Sequence, residues 1–203
     1  MKLRYSPTSP YVRKVNATAI ETGVRDRLEW IPTNAWDPAD DLPTVNPLGK
    51  VPALITDEGE VLYDSVVICE YLDSVHGGAR LFPPEGPARW RALKLHALAD
   101  GMLDASVLRL VEHSRRPKEL FWPEWDDRQK GKVDRALDAL EAHVDLLEGS
   151  PDIGKIAVGC ALGYLDFRFP AEDWRGSRPR LAAWYETFAQ RPSMRETEPY
   201  QPA

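Results

Sequence analysis

Asn46-Pro47-Leu48-Gly49-Lys50-Val51-Pro52 is the stretch that decides the fold of the first part of this 203-residue chain. Pro52 lies in an apparent strand at residues 51–56, although proline has no N–H to give to a neighbouring strand. A cis Val51–Pro52 bond explains this position, since X–Pro bonds adopt the cis form at about 0.5–1 kcal/mol. Such a bend turns the N–H and C=O of Val51 outward, where an extended peptide can pair with them. A simple Pro-Gly turn is the alternative.

Sequence patterns on both sides of this stretch predict a small α/β unit. Alternating apolar residues indicate strands, and apolar residues three or four apart indicate helices. The predicted elements are a strand at 3–5, a helix at 10–23, a strand at 28–31, short strands at 51–56 and 61–63, and a helix that begins at 66 and is stopped by the glycines at 77 and 78. Asp57-Glu58-Gly59 between the two short strands is a hairpin signal.

A linker and an all-helical domain come next. Residues 78–87 contain three prolines and two glycines, a density of breakers that is typical of a linker. Helical patterns then cover residues 88–116, 127–147, 153–169 and 178–190, and the third is apolar nearly all round, as expected at the centre of a domain. The sequence therefore predicts an α/β domain at 1–77, a linker at 78–87 and an all-α domain at 88–203.

Composition narrows the function classes. The net charge is −6 and the chain has no long Lys/Arg run, which argues against a nucleic-acid partner. Cys69 and Cys160 stand far apart in apolar stretches, a spacing that predicts neither a disulfide nor a metal site. We find no signal-peptide core and no apolar run that is long enough to span a membrane, so we expect a cytoplasmic protein.

Two helix starts could carry chemistry. In Thr8-Ser9-Pro10-Tyr11, Ser9 is a good N-cap and Pro10 suits the first helical turn. In Tyr63-Asp64-Ser65, a hydroxyl lies beside free N–H groups and a positive dipole end, which together favour a bound carboxylate. The plain interpretation is that Ser9 and Asp64 only cap their helices. Asp64 can alternatively receive an ammonium group.

Taken jointly, these motifs resemble the glutathione S-transferase family. Two helix starts with hydroxyl residues flank a proline-bent strand, in the element order of that family's thioredoxin-like domain. Gly-Lys-Val-Pro and Asp-Ser-Val-Val-Ile-Cys-Glu-Tyr-Leu look like its glutathione-binding signatures, and the linker and helical domain match its architecture. Thr-Ser-Pro-Tyr-Val-Arg-Lys is most similar to bacterial members with Ser or Cys at the first helix. The resemblance covers essentially the whole chain.

The resemblance implies a binding site for glutathione, which is the co-substrate of the family. Val51 matches the residue whose backbone pairs with the cysteinyl part of the tripeptide, with Pro52 cis. Asp64 and Ser65 match the pair that holds the γ-glutamyl ammonium and carboxylate. Lys50 is a candidate for the glycyl carboxylate.

The resemblance also implies how the thiol is activated. Ser9 matches the position whose hydroxyl or thiol faces the glutathione sulfur, and Tyr11 is a candidate to border the sulfur or the second substrate. Tyr5, Ser6 and Thr8 are competing hydroxyls. A cysteine at position 9 would form mixed disulfides, so the serine favours addition, substitution or peroxide reduction over thiol–disulfide exchange.

The expected protein is thus a glutathione transferase that acts on a hydrophobic electrophile or a peroxide, and family members are usually homodimers. A non-catalytic binding or adaptor protein of the same fold is the alternative. Asp152 is expected to cap the central helix, with Lys155 in place of an acidic partner. Trp122 and Trp125 suggest a flap or an ordinary loop at residues 117–127. Candidates for the electrophile pocket, by position only, are Trp36, Met102, Leu103, Ser106, Leu165 and Arg168.

Overall fold

A four-stranded mixed sheet with three helices forms the first part of the protein, seen in a computed structural model that describes residues 1–201. Its elements are β1 (Lys2–Tyr5), α1 (Pro10–Glu21), β2 (Glu29–Pro32), α2 (Leu42–Val45), β3 (Ala53–Ile55), β4 (Val61–Leu62) and α3 (Ser65–Ser74). The strand order is β2-β1-β3-β4, in which β1 is parallel to β2 and antiparallel to β3, and β3 is antiparallel to β4.

The sheet is closed on one side by α1 and α3. Leu3 of β1 and Leu54 of β3 point to the same face, and both are fully buried. Val15 of α1 and Ile68 and Leu72 of α3 pack into the same cluster. The face of the sheet that carries Leu3 and Leu54 therefore lies against the two helices.

The second part is all-helical, which confirms the predicted α/β plus all-α fold. Its helices are α4 (Gly86–Ser114), α5 (Pro123–Ala142), α6 (Ile153–Arg168), α7 (Pro179–Phe188) and α8 (Pro192–Arg195). From Ile153 to Leu165 every residue of α6 is buried, as its apolar sequence predicts. Residues 202–203, the last of the predicted helical domain, lie outside the described part.

Two helices begin earlier than predicted. α4 starts at Gly86 and α5 starts at Pro123, so each has a proline in its first turn, where the missing N–H has no helical partner to lose. Trp125 therefore lies in α5, and its ring stacks on Trp122 at a centroid distance of 5.9 Å. For residues 123–127 the prediction of a flap or loop is wrong, because Pro123 starts a helix and does not break one.

Hydrogen bonds fix the linker between the two parts. The buried carboxylate of Asp73 accepts the N–H groups of Leu81 at 2.7 Å and Phe82 at 3.1 Å. The N–H of Ile153 donates to the C=O of Leu81 at 3.0 Å, which ties the linker to the start of α6. The breaker-rich segment is thus held against both α3 and α6.

The start of α6 is capped as predicted. Asp152 accepts the N–H of Lys155 at 3.0 Å. The ammonium of Lys155 lies 3.1 Å from the same carboxylate and donates to the C=O of Ser150 at 2.7 Å. Lys155, which stands where an acidic residue was expected, therefore stabilises the helix start through its ammonium group, which pairs with Asp152 and Ser150.

The close approach of α4 and α6 predicts the effect of two glycine substitutions. A Cβ at Gly154 would lie 2.6 Å from the backbone oxygen of Ala92 and 2.7 Å from Cβ of Leu95. Gly154→Ala should lower the free energy of unfolding by about 1–3 kcal/mol, because backbone must move to make room. Gly101→Ala, with open space around the new methyl group, should raise it by about 0.5–1 kcal/mol.

Urea denaturation of both variants measures these changes. A neutral Gly154→Ala would contradict the close packing of α4 against α6.

Candidate functional site

The bend at the start of β3 is present, and the Val51–Pro52 bond is cis, as predicted. Asn46 shapes the loop before it: its side-chain amide donates to the C=O of Lys50 at 2.8 Å, and its oxygen accepts the N–H of Leu48 at 3.0 Å. Within residues 1–201, the backbone N–H and C=O of Val51 make no hydrogen bond. They remain available to an extended ligand.

Three of the predicted motifs meet at one edge of the sheet. β3 and β4 are antiparallel, and the register that sets Leu54 opposite Leu62 brings Pro52 opposite Asp64 two residues further on. β1 ends at the same edge, because it is antiparallel to β3, and the chain continues from it into the loop before Ser9. The strand register thus gathers the bend and the starts of α1 and α3.

The start of α3 combines a capping carboxylate with free backbone donors. Asp64 caps the helix, and one of its carboxylate oxygens accepts the N–H of Val66 at 3.0 Å. The side chain of Asp64 is exposed, so its second oxygen can meet a ligand. Ser65 is the first helical residue and only 2% exposed. The first-turn N–H groups and the dipole favour an anion here.

The start of α1 presents the Ser9 hydroxyl. Ser9 is the N-cap, and its Oγ accepts the N–H of Val12 at 3.3 Å. Because the oxygen acts as acceptor in this bond, the hydroxyl proton is free to be donated. The hydroxyls of Ser6 and Thr8 pair with each other at 3.3 Å. One of these two hydroxyls donates to the other. A free hydroxyl proton is therefore left on Ser9 and on whichever of Ser6 and Thr8 accepts.

Of the two tyrosines near this edge, Tyr11 has its phenol engaged elsewhere, and Tyr5 packs by its ring. The phenol of Tyr11 donates to the carboxylate of Asp104 on α4. Burial, together with this hydrogen bond, raises the pKa of Tyr11 above its usual value. Tyr5 packs its ring edge-on against Trp30, at 5.5 Å between centroids. The single proton of Tyr11 is thus committed to Asp104 and links α1 to α4.

A buried cluster of charged side chains supports α1 from behind. Lys14 is fully buried, and its ammonium lies 2.6 and 2.8 Å from the two carboxylate oxygens of Asp100 and 2.8 Å from Nε2 of His96. Burial by itself raises the pKa of Asp100, but the hydrogen bond from His96 and the charge of Lys14 outweigh it and hold that pKa below its usual value. The cluster fixes α1 against α4 one turn beyond Tyr11.

The comparisons with known proteins agree with this arrangement. Sequence models of the glutathione S-transferase N-terminal and C-terminal domains match residues 8–75 and 123–187. The uncharacterized GST-like protein YibF of Escherichia coli is 36% identical over 202 residues, which cover 98% of each chain. The chain belongs to the glutathione S-transferase family.

Solved structures of this family superpose closely. A glutathione transferase family member of Pseudomonas fluorescens Pf-5 with bound glutathione has a TM-score of 0.95 at 49% identity, over 98% of this chain and 99% of that one. A structure from the same strain with bound S-(propanoic acid)-glutathione has a TM-score of 0.92 at 50% identity, over 99% and 100% of the chains. The prediction of a thioredoxin-like domain followed by a helical transferase domain is confirmed.

Neither cysteine of this glutathione S-transferase family member is placed for thiol chemistry. Cys69 and Cys160 are free and fully buried. Burial raises the pKa of Cys69 to about 12 and that of Cys160 to about 11. Both thiols are therefore protonated near neutral pH, and a buried thiol in this state is unreactive.

The residues suggested for the electrophile pocket separate into two groups. Trp36 is 59% exposed, and the Arg115 guanidinium lies 4.8 Å from the centre of its ring. Arg168 is partly exposed at the end of α6. The others are fully or almost fully buried, so the structure places them in the core of the helical domain: Met102, Leu103, Ser106 and Leu165.

One cavity lies away from this sheet edge. It has a volume of about 400 Å³ and is enclosed by α5, the end of α6 and the segment before α7. Leu165 is the single residue that it shares with the predicted pocket. Among residues 1–201, we find no cluster of three metal-ligating side chains. None of the helices in this part is long and apolar enough to cross a membrane.

Sequence reasoning missed two features of the site. The first is the role of Asn46. This residue belongs to the predicted bend, but nothing in the sequence indicates that its side chain holds the bend in shape. Asn46 is 2% exposed, and a polar residue next to a proline does not indicate such burial. The second is the cluster of Lys14, His96 and Asp100. Its signal is a lysine on the buried stripe of α1, which helical spacing alone could have shown.

The buried cluster predicts a large effect of Lys14→Met. The variant leaves the buried His96 and the partly buried Asp100 without their cation, which should lower the free energy of unfolding by about 3–5 kcal/mol at neutral pH. The partners hold the pKa of Asp100 below its unfolded value of about 3.9, so they stabilise the fold above that pH. The difference from wild type should shrink as the pH falls through the folded pKa.

Denaturant titrations at pH 7 and pH 3.5 measure both effects. Lys2→Met, which removes an exposed lysine from β1, is the control and should change stability by no more than about 0.5 kcal/mol. A loss with Lys14→Met that is no larger than that of Lys2→Met would show that the cluster does not hold α1.

Proposed function

We propose that this protein is a glutathione transferase that binds glutathione at the sheet edge and activates its thiol for attack on a hydrophobic electrophile. The observation that carries the proposal is the meeting of the Val51–Pro52 bend, the Asp64–Ser65 helix start and Ser9 at one edge. The glutathione in the 49%-identical Pseudomonas protein supports it. The conjugate S-(propanoic acid)-glutathione in the 50%-identical structure supports conjugation as the reaction.

Each part of the tripeptide has a counterpart in this site. The N–H and C=O of Val51 pair with the cysteinyl backbone, as an added strand does. Asp64 receives the γ-glutamyl ammonium, while Ser65 and the first-turn N–H groups hold the carboxylate beside it. Lys50, which is exposed next to the bend, reaches the glycyl carboxylate. In this proposal residues 1–77 hold glutathione, residues 78–87 link, and residues 88–203 supply the electrophile pocket.

The site favours the thiolate of glutathione. A free thiol with a pKa near 8.5 is only about 3% ionised at pH 7, and the thiolate is the nucleophile. The start of α1 and the Ser9 hydroxyl together lower that pKa by roughly one to two units. A two-unit drop ionises about three quarters of the bound thiol at pH 7. Ser9 therefore acts as a hydrogen-bond donor to the sulfur and not as a nucleophile.

We further propose a cytoplasmic homodimer that serves detoxification, with no nucleic-acid or membrane partner. Exposed apolar side chains on neighbouring helices support the dimer: Val67 on α3 is 44% exposed and Trp90 on α4 is 67% exposed. A salt bridge of 3.0 Å between Arg89 and Glu70 joins these two helices. A two-fold partner would cover this face.

The glutathione site predicts a loss of affinity that is separable from helix capping. Asn and Asp are equally good N-caps, so Asp64→Asn should leave thermal stability unchanged but weaken glutathione binding about 10- to 100-fold through the lost charge. Ser65→Ala should weaken binding by a similar factor. Calorimetric titration of glutathione measures both. Glu58→Gln, an exposed charge change in the β3–β4 turn, is the control.

Folded wild type that does not bind glutathione would overturn the enzyme proposal and leave the non-catalytic adaptor. If neither Asp64→Asn nor Ser65→Ala changes the affinity for glutathione, the tripeptide binds at another place on the protein.

The role of Ser9 predicts a shift in the pH profile. Ser9→Ala removes the donor, and Ser9→Asp keeps the N-cap but replaces the donor with a negative charge. Both should raise the pKa of the bound thiol, so the acidic limb of kcat/KM with chlorodinitrobenzene should move up by about one pH unit or more. Activity with cumene hydroperoxide, measured in parallel, separates conjugation from peroxide reduction.

Ser6→Ala and Thr8→Val are the matched controls, since each removes a neighbouring hydroxyl. A shift with either control and none with Ser9→Ala would assign activation to that hydroxyl instead.

A further inference from the structure

Four polar side chains form a belt across the helices next to Ser9. Asp104 on α4 accepts the proton of Tyr11 on α1. The ring of Tyr11 packs against the cluster of buried residues that contains Tyr164 of α6, and Tyr164 adds to the rise in the pKa of Tyr11. Burial raises the pKa of Tyr164, and the nearby charge of Arg168 opposes that rise. The belt, defined as Asp104, Tyr11, Tyr164 and Arg168, thus ends in a cation.

Arg168 lacks an anionic partner within residues 1–201. Its Nε is buried and has no hydrogen-bond partner. Its guanidinium lies 4.2 Å from the centre of the Phe167 ring and donates to the side chain of Gln201 at 3.4 Å. The neighbouring carboxylate of Asp166 is occupied by Arg175, at 2.5 and 2.7 Å. A buried, unpaired guanidinium N–H is costly, so a ligand is a direct explanation for it.

Helix packing sets the end of the belt beside the proposed thiol. α6 runs antiparallel to α1: Tyr11 packs against the cluster that contains Tyr164 and Leu165, whereas Val15 and Ala19 share a cluster with Ile153 and Ile156. Between these points, Gly163 packs so closely on the Arg13 guanidinium that a Cβ there would collide with it. Moving from Arg13 towards the start of α1 therefore corresponds to moving towards the end of α6, so Arg168, the last residue of α6, lies towards the end of α1 that Ser9 caps.

We propose that Arg168 receives a carboxylate on the electrophile, and that the second substrate is a small α,β-unsaturated carboxylic acid. This inference rests on the proposed function, since it names the substrate class of that same site. A carboxylate can lie along the Nε–Nη edge of a guanidinium and form two parallel hydrogen bonds. One of these satisfies the orphaned Nε. Asp104, whose charge is opposite to that of Arg168, lies at the other end of the belt.

The reaction is a conjugate addition. The glutathione thiol first gives its proton to solvent. The thiolate then forms a C–S bond at the β-carbon, and the electrons of the C=C bond move towards the α-carbon and the carboxylate. A proton from solvent adds to the α-carbon, so no atom leaves and no oxidant is needed. Negative charge builds up on the carboxylate in the transition state, and Arg168 stabilises it there.

The test compares two adducts that differ in one group: S-(2-carboxyethyl)glutathione and its amide, S-(2-carbamoylethyl)glutathione. Their shapes match, but one carries the carboxylate. Calorimetry on wild type should show at least about 10-fold tighter binding of the carboxylate adduct, as expected for a charge-assisted bidentate pair. Arg168→Met should bring the two affinities within about 2-fold of each other. Arg168→Lys should recover part of the preference.

Arg115→Met is the matched control, since Arg115 is an exposed cation directly after α4 with no ion pair among the described residues. Arg115→Met should keep the wild-type preference for the carboxylate adduct. If that preference came from a general electrostatic effect of the positive charges of the protein, both substitutions would reduce it equally. Turnover of acrylate against acrylamide gives a second readout. In Arg168→Met, kcat/KM for acrylate should fall about 10-fold or more, with acrylamide within about 2-fold of wild type.

The outcomes separate this inference from the proposed function. Wild type that binds unsubstituted glutathione but does not distinguish the two adducts would overturn the role of Arg168 alone. An equal loss of preference in Arg115→Met and Arg168→Met would do the same. Wild type that binds neither glutathione nor the adducts would overturn the proposed function, and this inference with it.

Discussion

Lys14 and Asp100 form an ion pair where α1 of the sheet domain meets α4 of the helical domain, and this pair restricts how α1 can move along α4. A fully buried ammonium is stable only when its partners are close and well oriented, so the pair tolerates little sliding of one helix along the other. Ser9 caps the same helix. The proposed thiol-activating hydroxyl is therefore positioned by a contact more than one helical turn away.

Local sequence rules were enough for much of the site. A cis bond before Pro52 could be predicted, beside the alternative of a simple turn, because Pro52 stands at the start of an apparent strand. Ser9 and Asp64 could be identified as caps because their residue types precede helical patterns. Each of these conclusions depends only on residues that are adjacent in the chain. That these residues lie together at one edge of the sheet follows from the strand register. The sequence predicted this register only through the resemblance to a known family.

Contacts between segments that are far apart in the sequence could not be predicted from such local patterns. Nothing in the residues around Lys14 indicates that its partner lies 86 positions further on. Met102 and Leu103 were candidates for a pocket on grounds of position, but a methionine or leucine in a long helix is buried on whichever side other helices pack. The start of α5 shows a related limit, since a proline marks either the end or the beginning of a helix, depending on the residues after it.

α6 has no polar face over most of its length, and this affects how the protein folds. Ile153, Ile156 and Cys160 belong to the cluster around the sheet, whereas Ala157, Leu162 and Leu165 belong to the cluster of the helical domain. One helix thus completes two hydrophobic cores. The sheet domain without α6 would expose part of its apolar interior to water. The linker therefore separates the two domains along the chain, but it does not divide the protein into units that unfold independently. Both domains should melt in a single transition.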